Sequence, residues 1–139
     1  MELTTDLEIG AGNHITVVTP TCGHAIDISE PPVPRGPSGI DSAGFIVEGN
    51  AFWLAAGLGA INAEQTISGS LFRGNTIIAS ASGLPGDAAI TLGGASTHNI
   101  IDGNAIRNFG VGISMHQDCS NNTVVNNQFT NVTVPMAEV

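Results

Sequence analysis

The sequence predicts an all-β solenoid, a chain wound into stacked coils of short strands, and three observations carry that expectation. Short apolar alternations such as Ile90-Thr91-Leu92 and Ile113-Ser114-Met115 recur along the chain, which is a strand signal. A Gly-Asn or Asn-Asn pair recurs at a regular spacing beside such strands. The composition also disfavours helix: eighteen glycines and twelve asparagines stand in 139 residues, and both are poor helix formers.

The repeat is legible residue by residue. Ile46-Val47-Glu48-Gly49-Asn50-Ala51-Phe52 recurs as Phe72-Arg73-Gly74-Asn75-Thr76-Ile77, then as Ile101-Asp102-Gly103-Asn104-Ala105-Ile106, and again as Val124-Val125-Asn126-Asn127-Gln128-Phe129. A second signal recurs as Gly59-Ala60-Ile61, Ala88-Ala89-Ile90 and Val111-Gly112-Ile113. From isoleucine to asparagine the distance is 14 residues in all three copies (61 to 75, 90 to 104, 113 to 127). From asparagine to the next isoleucine it varies, as 11, 15 and 9 (50 to 61, 75 to 90, 104 to 113), so insertions collect at one corner. The longest carries Ser80-Ala81-Ser82-Gly83-Leu84-Pro85-Gly86, a turn-rich string.

A unit of this size cannot bury its own apolar face and must stack on its copies. Reading down the stack gives four apolar columns: Ile61, Ile90 and Ile113; Ala63, Leu92 and Met115; Phe72, Ile101 and Val124; Ile77, Ile106 and Phe129. A neighbouring column, Asn62, Thr91 and Ser114, is polar. The predicted fold is therefore a right-handed parallel β-helix of about four to five coils with an irregular N-terminal segment. Asn50, Asn75, Asn104 and Asn127 are read as a structural ladder of stacked amides, each taking the left-handed turn conformation.

The chain is read as a single domain, 1–139, with no dividing linker. Residues 1–44 form an irregular N-terminal cap in which Leu7-Glu8-Ile9 and Ile15-Thr16-Val17-Val18 supply strands. The run Pro31-Pro32-Val33-Pro34-Arg35-Gly36-Pro37 makes a loop. The repeats span 45–132, and 133–139 is a C-terminal tail.

At the Asn-x-Ile steps Asn75-Thr76-Ile77 and Asn104-Ala105-Ile106, each preceded by Gly, the sequence resembles the parallel β-helix repeat family. The resemblance covers 45–132 and extends more loosely to Asn13-His14-Ile15 and Ala25-Ile26-Asp27-Ile28. That family includes polysaccharide lyases, alginate epimerases, glycoside hydrolases, and the spikes and fibres of tailed phages. The resemblance identifies a fold far more sharply than an activity.

Charge and composition narrow the function. Twelve acids against three arginines, with no lysine, give a net charge of −9. Phosphate backbones are bound by clustered cations, so no nucleic-acid partner is expected. No apolar run is long enough to cross a membrane. Met1 to Asp6 carries neither a basic nor an apolar leader region, so no export signal is read there. Cys22 and Cys119 have no metal-ligand spacing and are expected to be unpaired, since several coils separate them.

Candidate chemistry is sparse. Glu48, Arg73 and Asp102 fall in one outward column, which reads either as a carbohydrate cleft or as a surface ion-pair ladder. His14, His24, His98 and His116 are possible bases, yet no two share a column. His116-Gln117-Asp118 is a weak metal or acid–base signal. Asp87, Asp102 and Asp118 lie in different columns, so the paired carboxylates of glycoside hydrolysis are not formed. The tyrosine that the resemblance implies for alginate epimerases is absent, because the chain has none.

These residues weigh against catalysis, and no cofactor or metal is expected. The reading is a non-catalytic structural or binding β-helix protein. The phage resemblance implies a virion component, a capsid decoration protein or a tail spike module, assembling as a homotrimer. Its partners would be its own copies, capsid or tail proteins, and surface polysaccharide, and its place the virion or the cell exterior. The alternatives are a carbohydrate-active enzyme or a fragment of one (lyase, epimerase or glycoside hydrolase), and an acidic inhibitor that mimics nucleic acid.

Overall fold

The computed structural model describes residues 8–10, 12–17, 23–28, 42–80 and 88–139. The Pro-rich run 31–37, Cys22, Asp87 and most of the 80–86 insertion lie outside the described residues. All regular structure among those described is strand, and no helix is long and apolar enough to cross a membrane.

Three parallel five-stranded sheets form the walls of a solenoid. The first stacks Glu8–Ile9, Ile46–Glu48, Leu71–Arg73, Ile100–Asp102 and Thr123–Val125. The second stacks His14–Val17, Ala51–Leu54, Thr76–Ala79, Ala105–Arg107 and Gln128–Thr130. The third stacks His24–Ile28, Gly59–Ala63, Ala88–Leu92, Val111–Met115 and Val134–Glu138. Short pairs, Ser42–Ala43 with Ile67–Ser68 and then Thr97 and Ser120, continue one corner.

The register matches the columns expected from the repeat. Ile61, Ile90 and Ile113 are Cα partners in succession, as are Phe72, Ile101 and Val124. Ile77, Ile106 and Phe129 do the same on the second sheet. Phe45, Phe52, Phe72, Ile61, Ile77, Ile90, Leu92 and Ile101 are fully buried and fill the interior. The polar column departs in one respect: Asn62 is 3% exposed, covered on the outer side of the third sheet, and its amide donates to Asp27 at 3.0 Å.

The corners explain the uneven spacing. Two residues link the first sheet to the second at 49–50, 74–75, 103–104 and 126–127, and seven link the third to the first at 64–70, 93–99 and 116–122. The corner between the second and third sheets takes eight residues at 80–87 and three at 108–110. From Ile46 onward only that corner changes length, and it carries no ladder in common to every coil; before Ile46 the third-to-first link, 29–45, is longer as well.

The structure corrects three expectations. Residues 133–139 are not a tail: Val134–Glu138 pairs with Val111–Met115, with Met136 beside Ile113. The interval from 113 to 136 repeats the last coil spacing of 23, so the period runs on to the end of the chain. Residues 1–44 do more than cap, since three of their segments form the first strand of each sheet. The ladder asparagines are not left-handed either. The positive φ falls one residue earlier, at Gly49, Gly74, Gly103 and Asn126, where Gly lacks a Cβ penalty and Asn tolerates the conformation. That turn frees the following asparagine to aim its amide inward.

Gly112 is held by a close approach. A Cβ there would run into the Phe129 ring and would lie 2.6 Å from the Pro135 carbonyl oxygen. Gly112→Ala is expected to cost about 1–3 kcal/mol by overpacking, measured as a lower urea midpoint at unchanged m-value. A variant as stable as the parent would show that the last coil shifts freely.

Candidate functional site

The inner corner between the first and second sheets is a five-rung amide ladder. Asn13 donates to Asn50 at 3.0 Å, Asn50 to Asn75 at 3.4 Å, Asn75 to Asn104 at 2.9 Å and Asn104 to Asn127 at 2.9 Å. The oxygens of Asn75, Asn104 and Asn127 also take the backbone N–H of the preceding rung, each at 3.0 Å. The second amide hydrogen goes to a carbonyl one coil back: Asn75 to Val47, Asn104 to Phe72 and Asn127 to Ile101. A carboxamide has two donors and one two-lone-pair acceptor, so Asn75 and Asn104 are saturated.

Two further ladders lie at the other corners. Ser70 donates its N–H to Asn99, and Asn99 donates to Asn122. Here the left-handed position before each rung holds Gly44, Gly69, His98 and Asn121 in turn. His98 is thus a corner residue at φ 56°, exposed, with its ring Nδ1 3.0 Å from the Thr97 hydroxyl. Asn131 donates to Asn108, and Asn108 to the Ala79 carbonyl.

The charged column is formed as the repeat implies, with Glu48, Arg73 and Asp102 in register. Arg73 donates twice to one Glu48 oxygen, at 2.6 and 3.2 Å. This bond and its charge, with a smaller attraction from Asp102, raise the Arg73 pKa. Asp102 instead accepts from Asn126 at 3.0 Å. The pair is half open to solvent, a setting in which such contacts contribute little.

His116 and Asp118 lie elsewhere, at the corner after the fourth strand of the third sheet. The His116 Nδ1 is 3.5 Å from the Asp118 carboxylate and accepts the Asp118 N–H at 3.3 Å. Of the residues singled out in the sequence, the structure brings together Glu48 with Arg73, and His116 with Asp118. His98 and Asp102 join neither group. Among the described residues no cluster of three His, Cys, Asp or Glu could hold a metal.

A cavity sits at the C-terminal end of the solenoid, where the stack stops. It has a volume of about 390 Å³ and is lined by Met115, His116, Cys119, Met136 and Glu138 together with the Ser120–Asn122 corner. Sequence reasoning missed this grouping because Met136 was placed in a tail; stepping 23 residues on from Ile113 would have found it. Cys119 is half-buried, its Sγ 3.6–3.9 Å from the carbonyl oxygens of Leu92, Gly93 and Gly94. Burial raises its thiol pKa, against smaller backbone hydrogen-bond effects. The neutral thiol is thereby favoured at pH 7, and only the thiolate reacts quickly. In a Cys22→Ser background, iodoacetamide is expected to label Cys119 more slowly than a free cysteine at pH 8, the gap closing as pH rises. Labelling at the free-thiol rate would contradict this environment.

Residues 35–138, about three quarters of the chain, match the family described as periplasmic copper-binding protein (NosD). Comparison with curated proteins and with solved structures gives no match.

Proposed function

From the premise that the chain belongs to the NosD family of periplasmic copper-binding proteins, we propose that it is a non-catalytic β-solenoid that works outside the cytoplasm by binding copper. One observation carries the reading. The corner asparagines of the coils are spent on ladders, whereas the cavity at the C-terminal end gathers thioether, imidazole and thiol groups. Sulfur and imidazole are the ligand types that copper prefers, so the residues present fit the metal that the family description names.

The same geometry argues for binding rather than turnover. Catalysis needs a base, a nucleophile or acid, and a stabilising group around one reacting atom, and the charged column lies on the first sheet whereas the His116–Asp118 pair lies at the corner after the third. The test is a copper titration of the purified chain, followed by bound metal per chain after desalting, beside an assay over alginate, pectate and capsular polysaccharides. One retained copper and no sugar release support the reading. Absence of copper in both oxidation states overturns it.

A second reading rests on a different observation. Val125, Val134 and Met136 are 41%, 39% and 46% exposed on the terminal strands, leaving sheet edges and apolar surface uncovered. That end favours self-association, and a homotrimeric virion component touching capsid or tail proteins or surface glycans would use it. Light scattering at three times the chain mass supports this; a monomer removes it.

A further inference from the structure

We infer that the C-terminal cavity is selective for copper(I), held by the thioether sulfurs of Met115 and Met136 and the imidazole of His116. The inference rests on the copper-binding reading above and names its site and oxidation state.

The chain holds three methionines, Met1, Met115 and Met136, and two of them line this one cavity. Their convergence follows from the coil register. Met136 occupies the column below Ile113, and Met115 the next inward column of the same sheet, with Glu138 below it; both side chains line the cavity at the open end. In the coils above, these columns hold Ile90 and Leu92, which are fully buried. At the last coil the columns lose their cover, and Met136 becomes 46% exposed. The positions that would be plain core in a longer stack are here polarizable and open to solvent.

His116 completes the set from the adjoining corner. In the metal-free chain Nδ1 accepts the Asp118 N–H at 3.3 Å; ligation through Nε2 would move the ring proton to Nδ1 and exchange that bond for one to the Asp118 carboxylate, 3.5 Å away. A carboxylate behind a ligating imidazole fixes the ring and raises its basicity. Cys119 lines the same cavity, with its thiol facing three backbone carbonyls. Glu138 alone contributes a carboxylate to the lining.

Such donors discriminate between metals. Thioethers favour soft monovalent copper, whereas zinc and copper(II) favour imidazole, thiolate and oxygen donors. The described residues gather no three His, Cys, Asp or Glu for those ions.

The experiment titrates the full chain anaerobically with copper(I) against a chromophoric chelator, with silver(I) as a redox-inert probe, and separately with copper(II) and zinc(II). The variants are Met136→Leu, Met115→Leu/Met136→Leu and His116→Gln, with Arg73→Ala as control. Leucine keeps volume and apolarity, and melting curves of the metal-free variants report folding. The expected result is one copper(I) per chain, a loss on the order of tenfold or more for each single variant, and no change for Arg73→Ala. Silver(I) should shift the ε-methyl resonances of Met115 and Met136 and leave that of Met1 in place. Equal copper(I) affinity in the parent and the folded double variant overturns this site while the copper-binding reading stands. Tighter copper(II) than copper(I) binding overturns the selectivity. A parent chain that binds neither oxidation state overturns both.

Discussion

Asn104→Leu is expected to destabilise the fold by about 3–5 kcal/mol, near the upper end for a single substitution. Asn104 is fully buried, and its amide serves four partners. It accepts from the backbone and side-chain nitrogens of Asn75 and donates to Asn127 and to the Phe72 carbonyl. Leucine has similar bulk and none of these groups, so two donors and one carbonyl are left buried without partners. Asn104→Asp is expected to be comparably severe, because a carboxylate cannot donate to Phe72 or Asn127. Asn127→Ala should cost less, since Asn127 sits half-buried on the last rung. Urea unfolding of the three variants checks the order. A midpoint for Asn104→Leu within error of the parent would remove the ladder from any account of stability.

Phe72→Ala is the second large effect, about 3–5 kcal/mol. Phe72 is fully buried in the middle rung of the first sheet, between Val47 and Ile101. Both neighbours are fixed by their own strand pairing, so the vacated space cannot be filled by collapse from above or below. Phe129→Ala makes the contrast: the same truncation in the last coil, where the ring is only partly buried, should cost roughly half as much. Equal losses would mean that the C-terminal end is covered in solution, and would direct attention to self-association.

The columns were legible because strand period and coil period both leave apolar residues in register. Ile61, Ile90 and Ile113 could be stacked on paper with no knowledge of the walls they occupy. Asn13 escaped the ladder because 37 residues separate it from Asn50, a gap swollen by the Pro-rich stretch. The second ladder escaped for another reason: its rungs change from Ser70 to Asn99 and Asn122, so function persists while residue type does not. The left-handed turn was placed one residue too late because Asn serves both as turn former and as amide rung, and at Asn126-Asn127 it does both in succession. The Met115–His116–Met136 grouping depends on where the stack ends, and an ending leaves no periodic mark.

The amide ladder is also a vector. From Asn13 to Asn104 each side chain donates one amide hydrogen toward the C-terminal coil, and from Asn50 to Asn127 each accepts from the N-terminal one, so the carboxamides of successive rungs lie head to tail and polarise one another in the same sense. The two ends of the molecule are therefore opposite poles rather than interchangeable faces. Two copies meeting end to end about a two-fold axis would set like poles against each other, whereas a copy added by translation along the axis would continue the same electrical direction. Axial contact in this fold favours an open, directional arrangement over a closed pair.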